Sequence, residues 1–554
     1  MKTTIRLAVV AVAVAALSVP GSAAGAAADE GSNARPSAIG WAPCVEDVTA
    51  ECGTVRVPID WSRPHGPTVD LALARRRATD PRTRIGMLLL NPGGPGGSGV
   101  NYALFGPSSP GRGGDNLQRR FDIVGFDPRG IARSHPVVCS EDLLRRQPPH
   151  LLTSQGDFDR MVAYNRRLGA DCRRHTGPLF DHIDSLSTAR DIDAIRAALG
   201  EDTLTLFAIS YGTLMAQHYA ELFPHRVRAL VLDSIIDHSL GTASFLGTGA
   251  ASVQDSFAEF VNGCSRDVRC ALHGRDIRAL WSSLLARTAH GDLRDPTDPT
   301  VVLTSFELTG NTFGSLYDAD WFGLAHYLAA VDAQTPFAAA ADPISAETES
   351  ALATNPFQAV FCQDWNLPLH DYAEFATRLR AQNRIAPDMR FSPFAVDATV
   401  GCLGWPATVT NPQHRLRVSN TPKLLILNAR HDPVTGYAWA VHAARQLGRH
   451  ARLVTYDGWG HGVYAPYGRP PRSDCVIATV EAYLMAGTLP GTGARCDAVQ
   501  PEPTPLIAAA RAYYEGRRSE SSQQGRQHRR PSADLPALPP LRGVSAILCK
   551  SCFY

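Results

Sequence analysis

The chain has 554 residues, 44% of them hydrophobic, and a formal net charge of +1 at neutral pH. That length exceeds one small domain and fits a large α/β core with an insertion, and the hydrophobic share is that of a globular protein. Near-balanced acids and bases give no electrostatic case for a nucleic-acid partner or for an anionic membrane surface.

The first residues read MKTTIRLAVVAVAVAALSVPGSAAGAAADE. Lys2 and Arg6 are followed by an apolar core, Leu7–Leu17, that is too short to cross a bilayer, and then by small residues up to Ala28. The pattern predicts a cleavable secretory signal over 1–28, with a retained anchor as the alternative. No cysteine stands in the cleavage region to favour a lipoprotein, so a secreted, extracellular protein with no stable membrane insertion is expected. The 12 cysteines are even in number, and disulfides are the default in an exported chain. Proximity pairs Cys44 with Cys52, Cys264 with Cys270 and Cys475 with Cys496; Cys139 with Cys172 and Cys362 with Cys402 are longer-range pairings. Cys549 and Cys552 form a C-x-x-C with no second ligand pair, a weak metal or redox signal.

After a short linker, TVRVPID and VDLALARR alternate as strands bounded by turn residues. GMLLLN (Gly86–Asn91), FDIVGFD (Phe121–Asp127), LTLFAIS (Leu204–Ser210) and ALVLDS (Ala229–Ser234) are continuous apolar runs, the mark of parallel strands buried on both faces. From about Gly241 to Asn411 the pattern turns helical, as in LWSSLLARTA and FGLAHYLAAVDA. Strands return with KLLILNARHD and RLVTYDGWGH. The expected architecture is a doubly wound, mostly parallel α/β sheet formed by 39–240 and 412–500, with a helical cap inserted over 241–411. The Arg-, Ser-, Gln- and Pro-rich end, 515–554, is expected to be disordered.

Ser210 stands between a strand and a helical pattern, in AISYGT. A tight strand-to-helix turn lifts a serine hydroxyl clear of its backbone, but crowds the residues two before and two after it. Gly212 meets that demand; Ala208 adds one methyl at a strand end where no left-handed backbone is needed, so the turn is expected to survive. Asp432, after LLILNAR, and His461, after RLVTYD, complete a Ser–Asp–His order, each residue at a strand end. Apart from this constellation, Asp432 reads as a helix cap and His461 as a loop histidine. The loop NPGGPGGSG (Asn91–Gly99) fits an oxyanion hole whose donors are the N–H groups of Gly94 and Tyr211. A phosphate loop is disfavoured, because the segment holds no lysine.

Together NPGGPGGSG, GFDPRGIARS, AISYGT, HDPVTG and GHG resemble the secreted tripeptidyl aminopeptidases of actinobacteria, α/β-hydrolase serine exopeptidases related to prolyl iminopeptidases. The resemblance runs from about Trp41 to Cys496. It implies an α/β-hydrolase core with a cap, the triad Ser210, Asp432 and His461, an oxyanion loop at Gly93 and Gly94, and peptide substrates with a free N-terminus. Ala208 and Ala132 replace glycines expected from the pattern.

An exopeptidase must meet a substrate ammonium, and a cap carboxylate is the simplest partner. Asp364 is the first candidate, with Asp318 and Asp320 behind it; Phe313, Tyr317, Trp321 and Trp365 are candidate pocket aromatics, although such residues are more often core. No ligand cluster of metal-binding spacing is evident, so no cofactor is implied. A secreted esterase or lipase on the same core is the alternative, and a non-catalytic binding protein with a degenerate site is the third reading.

Overall fold

The structure is a computed structural model that describes residues 39–106, 115–335, 352–464 and 473–503. The expected signal at 1–28 and the tail at 515–554, with Cys549 and Cys552, lie outside the described residues. In chain order the strands are β1 (Ala42–Pro43), β2 (Glu51–Pro58), β3 (Thr68–Arg76), β4 (Gly86–Asn91), β5 (Phe121–Phe126), β6 (Val138–Ser140), β7 (Leu204–Ile209), β8 (Val227–Asp233), β9 (Leu352–Thr354), β10 (Leu424–His431), β11 (Ala451–Trp459) and β12 (Arg495–Cys496). Ten of them form one sheet in the order β1-β2-β3-β5-β4-β7-β8-β10-β11-β12. The β1–β2, β2–β3 and β3–β5 pairs are antiparallel, and every later pair is parallel.

The apolar runs explain this sheet. Every residue of β4 and of β7 is buried. Successive side chains go to opposite faces: Met87 and Leu89 join one core with Leu206 and Leu230, while Leu88 and Leu90 join a second core with Phe207 and Val231. Each such leucine contributes about 1.5–3 kcal/mol through burial.

The helices before β8 are α1 (Gly99–Phe105), α2 (Asp115–Arg120), α3 (Glu141–Arg145), α4 (Gln155–Thr176), α5 (Ser185–Ala198) and α6 (Gly212–Leu222). Between β8 and β10 come α7 (Thr242–Arg266), α8 (Ile277–Thr288), α9 (Ser305–Tyr317), α10 (Trp321–Ala333), α11 (Pro356–Asp364), α12 (Tyr372–Ile385) and α13 (Pro393–Gly401). After β10 come α14 (Tyr437–Leu447) and α15 (Asp474–Ala486). The inserted helices do not stand alone. β6 pairs with β9 in a small antiparallel sheet, and Asn165 on α4 donates to the carbonyls of Val400 and Leu403 at 2.9 Å each. A first excursion, β6 to α4, therefore joins a layer that the sequence pattern confined to 241–411.

The three disulfides expected from proximity, Cys44–Cys52, Cys264–Cys270 and Cys475–Cys496, are formed, and so are the two longer-range pairings, Cys139–Cys172 and Cys362–Cys402. The GFDPRGIARS segment has a structural purpose. Arg129 and Asp191 form a fully buried ion pair, and the guanidinium also donates to the carbonyls of Pro58, Ile59 and His182. With those hydrogen bonds satisfied, the pair ties β2 to α5 without an uncompensated charge. Ala132 sits in this turn at a φ of 42°. That is the left-handed region, where a Cβ costs about 1 kcal/mol. Ala132→Gly is therefore expected to stabilise the fold by about 1 kcal/mol, read as a shift of the urea midpoint at constant m-value.

Candidate active site

The backbone turns sharply at Ser210, whose φ is 55°. Its N–H donates to the carbonyl of Asp233 at 2.9 Å. Ala208 lies inside β7, paired with Asn91 and Leu232 and in no left-handed conformation, so its methyl is accommodated as a strand residue. Gly212 has no such latitude: a Cβ there would stand 2.7 Å from the Asn91 carbonyl oxygen. Gly93 presses on the same turn from the other side, at a φ of 81°, and a Cβ on it would come within 2.7 Å of the Tyr211 nitrogen.

That close approach brings the glycine-rich loop against the amide after Ser210. Neither the Gly94 N–H nor the Tyr211 N–H donates to an acceptor among the described residues. Two unpaired amides beside a serine are the donors that an oxyanion requires. Gly93 differs from the expectation. Its N–H donates to Asn91 Oδ1 at 3.0 Å, so it serves as the spacer that lets the loop close in and not as a third donor.

Asp432 and His461 meet as the strand order predicts. His461 Nδ1 lies 2.9 Å from Asp432 Oδ2 and 3.1 Å from Oδ1. Both side chains are buried. The carboxylate also accepts from the N–H groups of Val434 and Thr435 and from the Thr435 hydroxyl. An acceptor-only carboxylate favours the proton on Nδ1 and leaves the Nε2 lone pair open to accept one. Nε2 is buried with no hydrogen-bond partner among the described residues, so the serine–histidine hydrogen bond is not closed in this structure. Such bonds commonly tighten only on substrate binding.

Two features that the sequence did not reveal hold the histidine loop. The Asp233 carboxylate accepts from Val463 N–H at 2.9 and 3.0 Å and from Tyr464 N–H at 2.8 Å. Ser234 Oγ accepts from Gly462 N–H at 2.9 Å. On the other side His461 N–H donates to the carbonyl of Tyr317, the last residue of α9, at 2.7 Å, and the two rings lie 4.7 Å apart. The flanking Gly460 and Gly462, both at positive φ, allow a buried, tightly bonded turn.

Asp364, the first candidate for a substrate ammonium, is placed otherwise. It is fully buried, and its carboxylate accepts from Ser185 N–H, Ser185 Oγ, Tyr211 OH and Asn411 Nδ2. Burial pushes its carboxyl up to about 6, aided by the nearby Asp184 charge. It supports the side chain of Tyr211 and offers no open oxygen to a ligand. Asp320 caps α10 by accepting from Gly323 N–H at 3.0 Å. Asp318 adjoins Tyr317 at the end of α9. Of the aromatic candidates, Phe313, Trp321 and Trp365 are buried in the core, and Tyr317 touches the site.

Burial also raises the Asp233 carboxyl to about 6, against the lowering effect of the two N–H donors. The folded chain thus holds this proton to a higher pH than the unfolded chain does, and the group removes stability as the pH rises from about 4 to about 6. Asp233→Asn abolishes that slope and turns an N–H toward two backbone donors. An unsatisfied buried amide costs about 1–3 kcal/mol. We expect a folded variant with a flatter stability profile over that range and at least a tenfold lower kcat on a p-nitrophenyl ester; an unchanged kcat contradicts the positioning role.

The alpha/beta hydrolase fold family model matches residues 86–465. The chain is 32% identical over 494 residues to serine protease Hip1 of Mycobacterium tuberculosis, covering 82% of this chain and 90% of that protein. It is 30% identical over 501 residues to the tripeptidyl aminopeptidase of Streptomyces coelicolor, covering 86% and 89% of the two chains. It is also 32% identical over 502 residues to carboxylesterase B of M. tuberculosis, covering 85% and 94%. With the strand order, the serine turn and the buried Asp–His pair already in place, these likenesses mean that the chain belongs to the α/β hydrolase fold family, as a serine hydrolase.

Proposed function

We propose that the protein is a secreted serine exopeptidase that releases short peptides, tripeptides first among them, from free N-termini through an acyl-enzyme. The observation that carries this reading is the assembly of Ser210, the Asp432–His461 pair and the unpaired amides of Gly94 and Tyr211 at one edge of the sheet. Ser210 Oγ attacks the scissile carbonyl and passes its proton to His461 Nε2. Asp432 stabilises the resulting imidazolium. The amides of Gly94 and Tyr211 hold the oxyanion, and loss of one such donor costs about 3–4 kcal/mol of transition-state stabilisation elsewhere. His461 then returns the proton to the leaving amine, and water repeats the cycle on the acyl-enzyme.

Two relatives named as peptidases favour an amide substrate. Disulfides on the described chain fit an oxidising compartment, and among the described residues no helix is long and apolar enough to cross a membrane. The reading assigns the substrate ammonium to Asp318, which adjoins the residue that holds His461. An esterase is the second reading, favoured by the relative named carboxylesterase B.

Free and N-acetylated tripeptide p-nitroanilides separate the two. The exopeptidase reading predicts at least a hundredfold lower kcat/KM for the blocked substrate, whereas equal turnover contradicts it. Asp318→Asn is expected to lower kcat/KM on the free peptide at least tenfold and to leave the blocked one unchanged.

A further inference from the structure

Away from the serine, the far end of α6 gathers imidazoles. His218 and Glu221 stand three residues apart and share one helix face. His414 reaches them from the segment after α13, 193 residues from Glu221 in sequence. Glu221 Oε2 lies 3.0 Å from His414 Nε2 and 3.4 Å from His218 Nδ1. The three donor atoms all fall within 4.8 Å of one another. Ligand atoms around a tetrahedral zinc ion, at bond lengths of about 2.0–2.2 Å, stand roughly 3.3 Å apart. Small side-chain rotations therefore bring this trio to coordination distance with no movement of the backbone.

Two of the three already have outer partners suited to ligation. His414 Nδ1 lies 3.3 Å from the Pro412 carbonyl, which turns Nε2 inward as a bare donor. Glu221 Oε1 accepts from Arg417 N–H at 2.6 Å, which orients the carboxylate. His218 Nε2 lies 2.9 Å from Asn411 Nδ2, which also donates to Asp364 Oδ1 at 2.8 Å.

A second observation comes from His238. It lines the same small cavity, of about 10 Å³, as His218, Glu221 and His414. Its Nε2–H is spent on the carbonyl of Asp364 at 2.7 Å, so Nδ1 carries a bare lone pair. That atom is buried without a hydrogen-bond partner among the described residues, and the side chain is only 5% exposed. An orphaned imidazole lone pair beside two other imidazoles and a carboxylate is short of a cation.

We propose that His218, Glu221 and His414 form a binding site for a divalent cation of the zinc type, beside the buried His238 that lines the same cavity. The ion cross-links the C-terminal end of α6, the helix that begins beside Ser210, to the segment that returns from the inserted helices to β10. The site is also wired to the serine turn. Asn411 Nδ2 contacts both His218 Nε2 and Asp364 Oδ1, and Asp364 Oδ2 accepts from Tyr211 OH.

The test titrates chelator-treated full-length protein with Zn²⁺ by calorimetry and follows Tm, in parallel with the His414→Ala and Glu221→Gln variants. His414 is half-exposed and outside the serine site, and the metal-free circular dichroism spectrum of His414→Ala checks that the variant is folded. The proposal expects the parent chain to bind one equivalent more than His414→Ala and to gain at least 5 °C in Tm that both variants lose. Co²⁺ in place of Zn²⁺ is expected to give the intense visible band of a four-coordinate ion in the parent alone. Equal stoichiometry and equal Tm shifts in all three proteins overturn the site, as does a Co²⁺ spectrum that survives in His414→Ala.

Discussion

Asp233 joins the two halves of the site with one residue. Its backbone carbonyl accepts the N–H of Ser210, and its carboxylate accepts the N–H groups of Val463 and Tyr464 just past His461. Strand β8 lies between β7, which delivers the serine, and β10, which delivers Asp432. Its last residue is therefore within hydrogen-bond reach of both the serine turn and the histidine loop. Burying a carboxylate there is costly, and the three N–H contacts offset that cost while fixing the loop. The positions of the serine turn and of the histidine loop then follow from the sheet.

Close backbone contact is the second constraint. Gly93 and Gly212 are small because atoms of the serine turn and of Asn91 occupy the space where a Cβ would stand. Ala208 escapes the rule because it lies in the strand and points into the core. The strain of the turn falls on Ser210 itself, in the left-handed region, as it does at functional turns generally. The inserted helices close the arrangement from above: the C-terminal carbonyl of α9 takes the His461 N–H, so this layer is part of the site and not a detachable cover. Three disulfides stiffen the layer, Cys139–Cys172 in the first excursion, Cys264–Cys270 at the end of α7 and Cys362–Cys402 joining α11 to the end of α13.

Much of this was legible in the sequence. β4 and β7 announce themselves because a strand buried on both faces needs an unbroken apolar run, and GMLLLN and LTLFAI are such runs. Ser210, Asp432 and His461 were visible because each follows a strand, and strand ends share one edge of the sheet. What escaped depended on contacts between distant segments. Asp233 ends a strand as many aspartates do, and nothing local shows that residues 463 and 464 return to it. Asp364 looked available for a ligand because its four partners come from three other segments. Thr435 reads as part of an ordinary turn until its hydroxyl is seen on the Asp432 carboxylate. His218 and His414 lie too far apart in sequence for any spacing rule to pair them.

The central claim is spatial: one hydroxyl, one imidazole and two amides surround a single reacting carbon. A crystal structure of the mature protein inactivated by a fluorophosphonate examines it most directly. The account predicts phosphorus bonded to Ser210 Oγ, its phosphoryl oxygen about 2.7–3.1 Å from the nitrogens of both Gly94 and Tyr211, and His461 Nε2 within hydrogen-bond reach of the adduct. An adduct on another residue, or a phosphoryl oxygen turned away from both amides, contradicts it.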